Sequence, residues 1–402
     1  MLSNKKIILG VCGGIAAYKA IELLRLLTKA GADVHVIMTR AAQEFIAPLT
    51  FQTLSSNPVH IGLFDLIAER EIGHISLADR ADLFVVAPAT ANVIGKIAAG
   101  IADDMLTTTI MATKAPVLFA PAMNVNMYTN PIYQENEQKL RRFGFLFEAS
   151  VSGSLACGWE GEGKLAAPEA IFEAALTALT GKDLAGRTVM ITAGPTREEI
   201  DPVRYISNHS SGKMGYALAN AARRRGAQVF LISGPTALPE PAGVRLVKVT
   251  SASEMQSEVM ARVTECDVII KAAAVADYRP LLRSSNKIKK NSDTATIELV
   301  KNPDILAGLG MMGSGSKPQP FLVGFAAETD DLAANAAKKL NEKKLDMIVA
   351  NDVSQADAGF NVDTNRALLL FKDGSRCDCG LMSKDLLAGT ILDHIVARLA
   401  KR

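Results

Sequence analysis

"IILGVCGGIAAYKAIELLRLLTKAGADVHVIMT", residues 7–39, decides the fold. An apolar run from Ile7 to Val11 meets Gly13-Gly14. Beyond it Ala16, Ala20, Leu23, Leu24 and Leu27 recur at helical spacing, while Lys19, Glu22, Arg25 and Lys29 fall elsewhere on the same turns. Gly31 stands where a helix commonly ends in a left-handed residue. "ADVHVIMT" then reads as a second strand. Strand, tight glycine turn, helix and strand predict a βαβ unit.

The same grammar returns in the second half. "RTVMITAGPT" from Arg187 reads as a strand running into Gly194-Pro195, followed by a longer excursion. Met214, Ala217, Leu218 and Ala221 then share a helical face, Arg223, Arg224 and Arg225 crowd the last turn, Gly226 stops it, and "AQVFLIS" is the next strand. "RADLFVVAPATAN" (80–92) and "ECDVIIKAAAVAD" (265–277) are alike in form: an acid, a β-branched run, then small residues. Small residues at the C-terminal end of a strand leave room for a ligand, where open α/β sheets bind. Shared fold class alone also produces such repetition. The join falls in "LTALTGKDLAGRT" (176–188). We expect an α/β protein of two Rossmann-like domains, 1–181 and 182–402.

The bulk numbers agree with that architecture. A chain of 402 residues, 49% hydrophobic and 21% charged, supports more than one large core. A formal net charge of +2 and 5% aromatic residues argue against nucleic acid and against a membrane surface as partners. The cysteines at 12, 157, 266, 377 and 379 are odd in number and show no C-x-x-C spacing, so neither a disulfide framework nor a zinc site is expected. The apolar run near the N-terminus breaks at glycines and has no signal-peptide pattern, and no segment reaches membrane length. These features lead us to expect a cytoplasmic protein.

Several stretches carry chemistry. "GVCGGIAAYK" is a weak dinucleotide fingerprint. At the end of the next strand Thr39 and Arg40 replace the acid that a ribose diol wants; a hydroxyl and a guanidinium suit a phosphate monoester such as that of flavin mononucleotide, or they are ordinary strand-end residues. His74 in "GHIS" is expected where a strand or loop turns. Asn124 in "PAMNVNM" offers a neutral amide for a carboxylate, or else satisfies its own turn. "SLACGWEGEGKL" (154–165) sets Cys157 among glycines in a composition suited to a mobile lid. In the second half "ISNHSSGKMG" (206–215) fails the P-loop pattern, because Met214 follows Lys213 and no glycine stands four places before Gly212. Lys287, Lys289 and Lys290 make a basic loop, and Lys339 and Lys343 are helical neighbours; both sets are counter-charges for a phosphate chain or plain solvated surface.

Taken together, "GGIAAYK", "GHI", "APATAN", "PAMN" and the Ala-Cys-Gly lid resemble the flavin-dependent cysteine decarboxylases, with their flavoprotein-type three-layer αβα fold. "AGPTREEIDPVRYISNHSSGKMG", "AAAVADYR", "KIKK", "KNPDI" and "VGFAAET" resemble phosphopantothenate–cysteine ligase, whose domain is also Rossmann-like. Their order resembles the bifunctional bacterial enzymes of coenzyme A biosynthesis over essentially the whole chain. For the first domain the resemblance implies decarboxylation of 4′-phosphopantothenoylcysteine with FMN, through oxidation of the cysteine side chain to a thioaldehyde that serves as electron sink. It places flavin contacts at Gly13, Gly14, Thr39, Thr90 and Asn92, the carboxylate contact at Asn124, a base or orienting role at His74 and proton donation at Cys157. For the second it implies joining of 4′-phosphopantothenate to L-cysteine through an acyl-cytidylate, with CTP and Mg2+. Asn208 would donate to the mixed anhydride, the turn before Lys213 would hold a phosphate-bearing substrate, and Asp277, Lys287, Asn302, Pro303, Asp304, Ile305, Phe325, Lys339 and Lys343 would contact the nucleotide. It also implies a large homo-oligomer, a dodecamer among the candidates. Tyr128 stands where relatives commonly carry Trp, a departure that bears on flavin packing and removes no proposed catalytic group. The alternative kept open is an NADP-linked two-domain oxidoreductase, for which Arg40 would meet the 2′-phosphate.

Overall fold

A computed structural model describes residues 2–63, 73–154, 158–289, 296–312, 319–328, 331–352, 359 and 362–401. The chain divides into two compact units, residues 1–180 and 181–402.

In the first unit the strands are β1 (Lys6–Val11), β2 (Asp33–Met38), β3 (Val59–His60), β4 (Leu83–Ala89), β5 (Val117–Pro121) and β6 (Leu146–Phe147). They form one parallel sheet in the order β3-β2-β1-β4-β5-β6. The helices are α1 (Tyr18–Lys29), α2 (Pro48–Ser55), α3 (Gly73–Arg80), α4 (Ala91–Ala99), α5 (Met105–Ala112), α6 (Val125–Tyr128), α7 (Pro131–Arg142) and α8 (Pro168–Leu179). Ile7, Leu9 and Val11 pack with α1, α2 and α8, while Ile8 packs with α4, α5 and α7 on the opposite face. Both faces being covered, β1 and β4 read as continuous apolar runs rather than alternating ones. The buried positions of α1 are Ala20, Leu23, Leu24 and Leu27. The helix closes in a Schellman motif, with Gly31 N–H donating to Thr28 and Ala32 N–H to Leu27.

The second unit contains β9 (Thr188–Ala193), β10 (Arg197–Glu199), β11 (Tyr205–Ser207), α9 (Lys213–Arg224), β12 (Gln228–Ser233), β13 (Arg245–Lys248), α10 (Ala252–Arg262), β14 (Val268–Lys271), β15 (Tyr278–Pro280), β16 (Leu299–Lys301), α11 (Ile305–Met311), β17 (Phe321–Glu328), α12 (Leu332–Glu342), β18 (Met347–Asp352), β19 (Thr364–Phe371), β20 (Arg376–Ser383) and α13 (Lys384–Leu399). Its main sheet runs β13-β12-β9-β14-β17-β18-β19-β20, parallel as far as β18 and antiparallel in the last two pairings. The six parallel strands therefore repeat the order of the first unit. Helices α9 and α13 cover one face, and α10, α11 and α12 the other. The excursion after Gly194-Pro195 is a hairpin, β10 with β11, and Cys377 and Cys379 lie in the edge strand β20.

Two differences from the sequence reading concern the site. His74 sits in helix α3, not at a turn between strands. The glycine-rich "SLACGWEGEGKL" stretch contributes to an antiparallel pair that the sequence reading did not foresee, β7 (Val151–Ser154) with β8 (Glu160–Lys164). Gly163 has φ +117, and a Cβ there would stand 2.5 Å from the Met123 carbonyl oxygen. That glycine lets backbone approach backbone. Residues 155–157, and so Cys157, lie outside the described residues.

Two candidate active sites

The C-terminal ends of β1 and β4 border a cavity of about 590 Å³. Gly13, Gly14, Thr90 and Asn124 line it, with Ile15, Ala16, Ala91, Ala122, Met123, Met127 and Leu165 supplying an apolar wall. A Cβ built at Gly14 would meet nothing within 4 Å, so main chain is open to a ligand there. Thr90 caps α4 by accepting from Val93 N–H at 3.4 Å. Cys12, buried beside Thr90, has its thiol pushed up to about 12 by burial, so it stays protonated. Asn124 caps α6, its Oδ1 accepting from Asn126 N–H at 2.9 Å. The turn role and the ligand role are compatible, because the cap consumes the oxygen and fixes the amide plane at the cavity wall.

Thr39, Asn92 and His74 are not among the lining residues. Thr39 caps the short turn Arg40–Glu44, accepting from Ala42 N–H at 3.3 Å. That turn packs on Gly13, where a Cβ would lie 2.5 Å from Ala41 Cβ. Asn92 is exposed in the first turn of α4. His74 is half-buried with Nδ1 enclosed and unpartnered among the described residues. Sequence reading missed Lys19 and Lys164, two cations at the cavity wall; Lys19 reaches the Leu165 carbonyl at 3.4 Å. Lys19 belongs to the quoted "GGIAAYK", so its signal was present but read only as a polar helix face.

In the second unit a cavity of about 620 Å³ opens at the start of α9. Its lining is polar and cationic: Arg197, Tyr205, Ser207, Asn208, His209, Ser210, Ser211, Lys213 and Thr236. Gly212 caps α9 with no side-chain hydrogen bond, which leaves backbone N–H groups of the first turn to other partners. Lys213 pairs with Asp363 at 2.7 Å, and the Arg197 guanidinium stacks 4.6 Å from the Tyr205 ring centroid. Arg197 was missed although it stands inside a quoted motif. Asn208 Nδ2 donates to the Ala274 carbonyl at 3.0 Å, using one of the amide's two N–H groups.

Many of the expected nucleotide residues gather beyond β14. Asn302 donates from its amide to Ala276 O at 2.8 Å and from its backbone to Asp277 O at 2.8 Å, and accepts from Arg279 at 3.0 Å. Asp304 caps α11 and pairs with Lys343 at 2.8 Å. Burial pulls its carboxyl up, but Lys343 and the cap donors outweigh this and hold it below the usual range. Ile305 is buried beneath, and Pro303 half-buried beside it. Phe325 packs toward the opposite face of the sheet, with the α9 and α13 core. Lys339 lies one turn before Lys343 on α12. Lys287 is exposed on a loop held by Asp201, whose carboxylate accepts from Ile288 N–H at 3.1 Å and from Val203 and Arg204 N–H at 2.8 Å each. Arg204 foremost, then those backbone donors, hold the Asp201 carboxyl far below the usual range. Sequence reading assigned nothing to Asp201, and Lys290 is outside the described residues. Among the described residues no group of three or more His, Cys, Asp and Glu side chains converges as a metal cluster, and no helix is long and apolar enough to cross a membrane.

Fold and cavities together define a two-unit α/β protein with a ligand space at the strand ends of each unit. Residues 1–180 match the flavoprotein family, and residues 184–399 match the DNA/pantothenate metabolism flavoprotein C-terminal domain. The chain is 51% identical over 397 residues to the coenzyme A biosynthesis bifunctional protein CoaBC of Vibrio cholerae, covering 98% of each chain. It is 49% identical over 401 residues to the protein of that name from Escherichia coli, covering 99% of this chain and 98% of the other. A solved C-terminal domain of a CoaBC protein is 43% identical, covering 55% of this chain and 100% of that one, with TM-score 0.47. The chain belongs to the family of coenzyme A biosynthesis bifunctional proteins. The oxidoreductase alternative finds no support among these relatives.

Proposed function

We propose that residues 182–402 join 4′-phosphopantothenate to L-cysteine with CTP, and that residues 1–181 decarboxylate the resulting 4′-phosphopantothenoylcysteine to 4′-phosphopantetheine with FMN. The observation that carries this reading is the contrast between the two cavities. One is largely apolar, with an oriented amide and two lysines at its wall, suited to a ring system, its phosphate and a departing carboxylate. The other is cationic and hydroxyl-rich, suited to a phosphate ester.

The first cavity fits FMN in size and lining, within the usual range for small-molecule sites. Gly13, Gly14 and Thr90 would hold it, with Asn92 contributing from the first turn of α4 and Thr39 acting through the turn that packs on Gly13. FMN supplies, when bound, a two-electron acceptor and donor. Asn124 would donate to the substrate carboxylate; a neutral donor leaves that group free to depart, whereas a fixed cation would stabilise it in place. Cys157 would return the proton, and His74 would act as base or orienting group.

In the second unit Lys213, Arg197 and the first turn of α9 would hold the phosphate of 4′-phosphopantothenate. The remaining Asn208 N–H would stabilise the mixed anhydride. Asp277, Asn302 to Ile305 and Phe325 would hold the nucleotide, and Lys287, Lys339 and Lys343 would offset a triphosphate of roughly four negative charges. Mg2+ would ride mainly on that triphosphate and water. The same reading has the protein working in the cytoplasm as a homo-oligomer, with the dodecamer as the assembly to test.

Mass spectrometry of products from 4′-phosphopantothenate, cysteine and CTP tests both halves. We expect 4′-phosphopantetheine from a yellow protein. Asn208→Ala should lower ligation by roughly 10²- to 10³-fold and accumulate the nucleotidyl intermediate. A protein that stays colourless after flavin is supplied and releases no pyrophosphate from CTP would overturn the reading.

A further inference from the structure

Lys271 is the last residue of β14, in the middle of the second unit's sheet, between Thr192 of β9 and Gly324 of β17. The order of strands reverses beside it. Ile269, two residues earlier, packs with Leu306 and Leu345, so strand alternation turns Lys271 to that same face, toward α11 and α12. A lysine at such a place is unusual. It is half-buried by exposed area, yet enclosed closely enough that burial pulls its ammonium down to about 8. Among the described residues its ammonium has no hydrogen bond or ion pair. The charges that face it are Asp304 from the start of α11, Lys343 from the end of α12 and Asp277 beyond β14. Asp304, the strongest of the attractive ones, is already held by Lys343 at 2.8 Å.

A desolvated cation beside a second cation, with the shared carboxylate spoken for, is a place prepared for an anion. We propose that Lys271 is a further nucleotide contact, its ammonium donating to an oxygen of the phosphate chain of a nucleoside triphosphate beside Lys343. This rests on the ligase reading of the second unit. Neutralising the ammonium restores its affinity for a proton, so near pH 8 binding takes a proton up. Above that pH the free protein must first protonate Lys271, and affinity falls by up to about tenfold per pH unit.

Calorimetric titration of the full-length protein with CTP, between pH 7 and 9 and in buffers of differing ionisation enthalpy, tests this. Wild type should show proton uptake around pH 8 and weaker binding at pH 9. Lys271→Met should bind roughly tenfold to a hundredfold more weakly at pH 7 and lose both effects. Lys271→Arg, charged throughout this range, should keep most of the pH 7 affinity and lose the uptake. Melting curves should show Lys271→Met folded, because removing an unpaired desolvated charge relieves the native state. CTP binding by Lys271→Met equal to wild type, with the same proton uptake, overturns the inference and leaves the ligase reading standing. A wild type that binds no CTP overturns both.

Discussion

The two units share one strand order and differ in what happens just past the ends of their first and fourth strands. In the first unit the backbone pairing stops at Cys12 N–H to Pro88 O, at 3.3 Å. Gly13 and Gly14 then line the cavity from one side and Thr90 and Ala91 from the other. In the second unit the pairing continues. Ala274 N–H donates to Gly194 O at 3.0 Å, Thr196 N–H to Ala274 O at 3.3 Å, and Pro195 bridges Ala274. Hydroxyls add to it: Thr192 accepts from Ala273 N–H at 3.1 Å and Thr196 from Ala276 N–H at 3.0 Å. The crevice is thus bridged by main chain, and the second unit's described cavity lies at the start of α9. Topology sets where the strand ends lie; a few hydrogen bonds past them set whether the crevice between them is open.

The sharpest way to break that contrast is to unzip the second unit. A Cβ at Gly234 would lie 1.8 Å from the Pro195 carbonyl oxygen, a backbone atom with no rotamer to yield. Gly234→Ala should cost about 3–5 kcal/mol. Urea unfolding should show the second unit's transition moved to lower denaturant, with flavin absorbance retained and CTP binding lost. The reciprocal change is Gly163→Ala, which meets Met123 O at a left-handed φ of +117. We expect about 2–3 kcal/mol, weaker flavin binding through displacement of Met123 and Asn124, and unchanged CTP binding. If either substitution disturbed both ligands equally, the independence of the two sites would fail.

A third change probes the loop that carries Lys287. Asp201→Asn replaces acceptor capacity with an N–H aimed at donors, and should raise the KM for CTP roughly tenfold at pH 7 without touching flavin. The sign with pH follows from the depressed carboxyl. The native state binds fewer protons than the unfolded chain, so the contribution of Asp201 is fully present above its ordinary value of 3.8 and is lost as pH falls below it. The stability gap between wild type and Asp201→Asn should therefore be constant from pH 5 to pH 8 and close in acid.

Much of this frame was legible in the sequence. The period of the α1 residues and the glycines at 31 and 226 mark two βαβ units because each signal is local. Asn124 drew attention as an amide after an apolar strand, whereas Asp304 and the role of Asn208 came only from the family resemblance. The short pairs β10–β11 and β15–β16 were not legible, since three-residue strands carry no readable alternation. Nor was the reason for Gly163, which depends on Met123 lying against it. Lys271 escaped because it ends an apolar strand like any boundary residue; its meaning comes from Asp304 and Lys343, which only the fold brings near. Thr39 was read either as a phosphate contact or as an ordinary strand-end residue, and the structure adds that its oxygen caps the turn that follows.

That residue supplies the smallest test. If Thr39 acts only through the turn that packs on Gly13, its loss is the loss of a long cap, 3.3 Å from Ala42 N–H, and of a long donation to Val11 O at 3.5 Å. Thr39→Ala should then cost about 0.5–1 kcal/mol in stability. Flavin affinity, read by fluorescence quenching, should fall no more than a few-fold, in line with loosened backbone around Ala41. Thr39→Ser, which keeps the oxygen, should restore both. If FMN instead takes a hydrogen bond directly from this hydroxyl, Thr39→Ala should weaken flavin binding by tenfold or more while stability changes little. The ratio of the two effects separates a residue that shapes the cavity from one that touches its occupant.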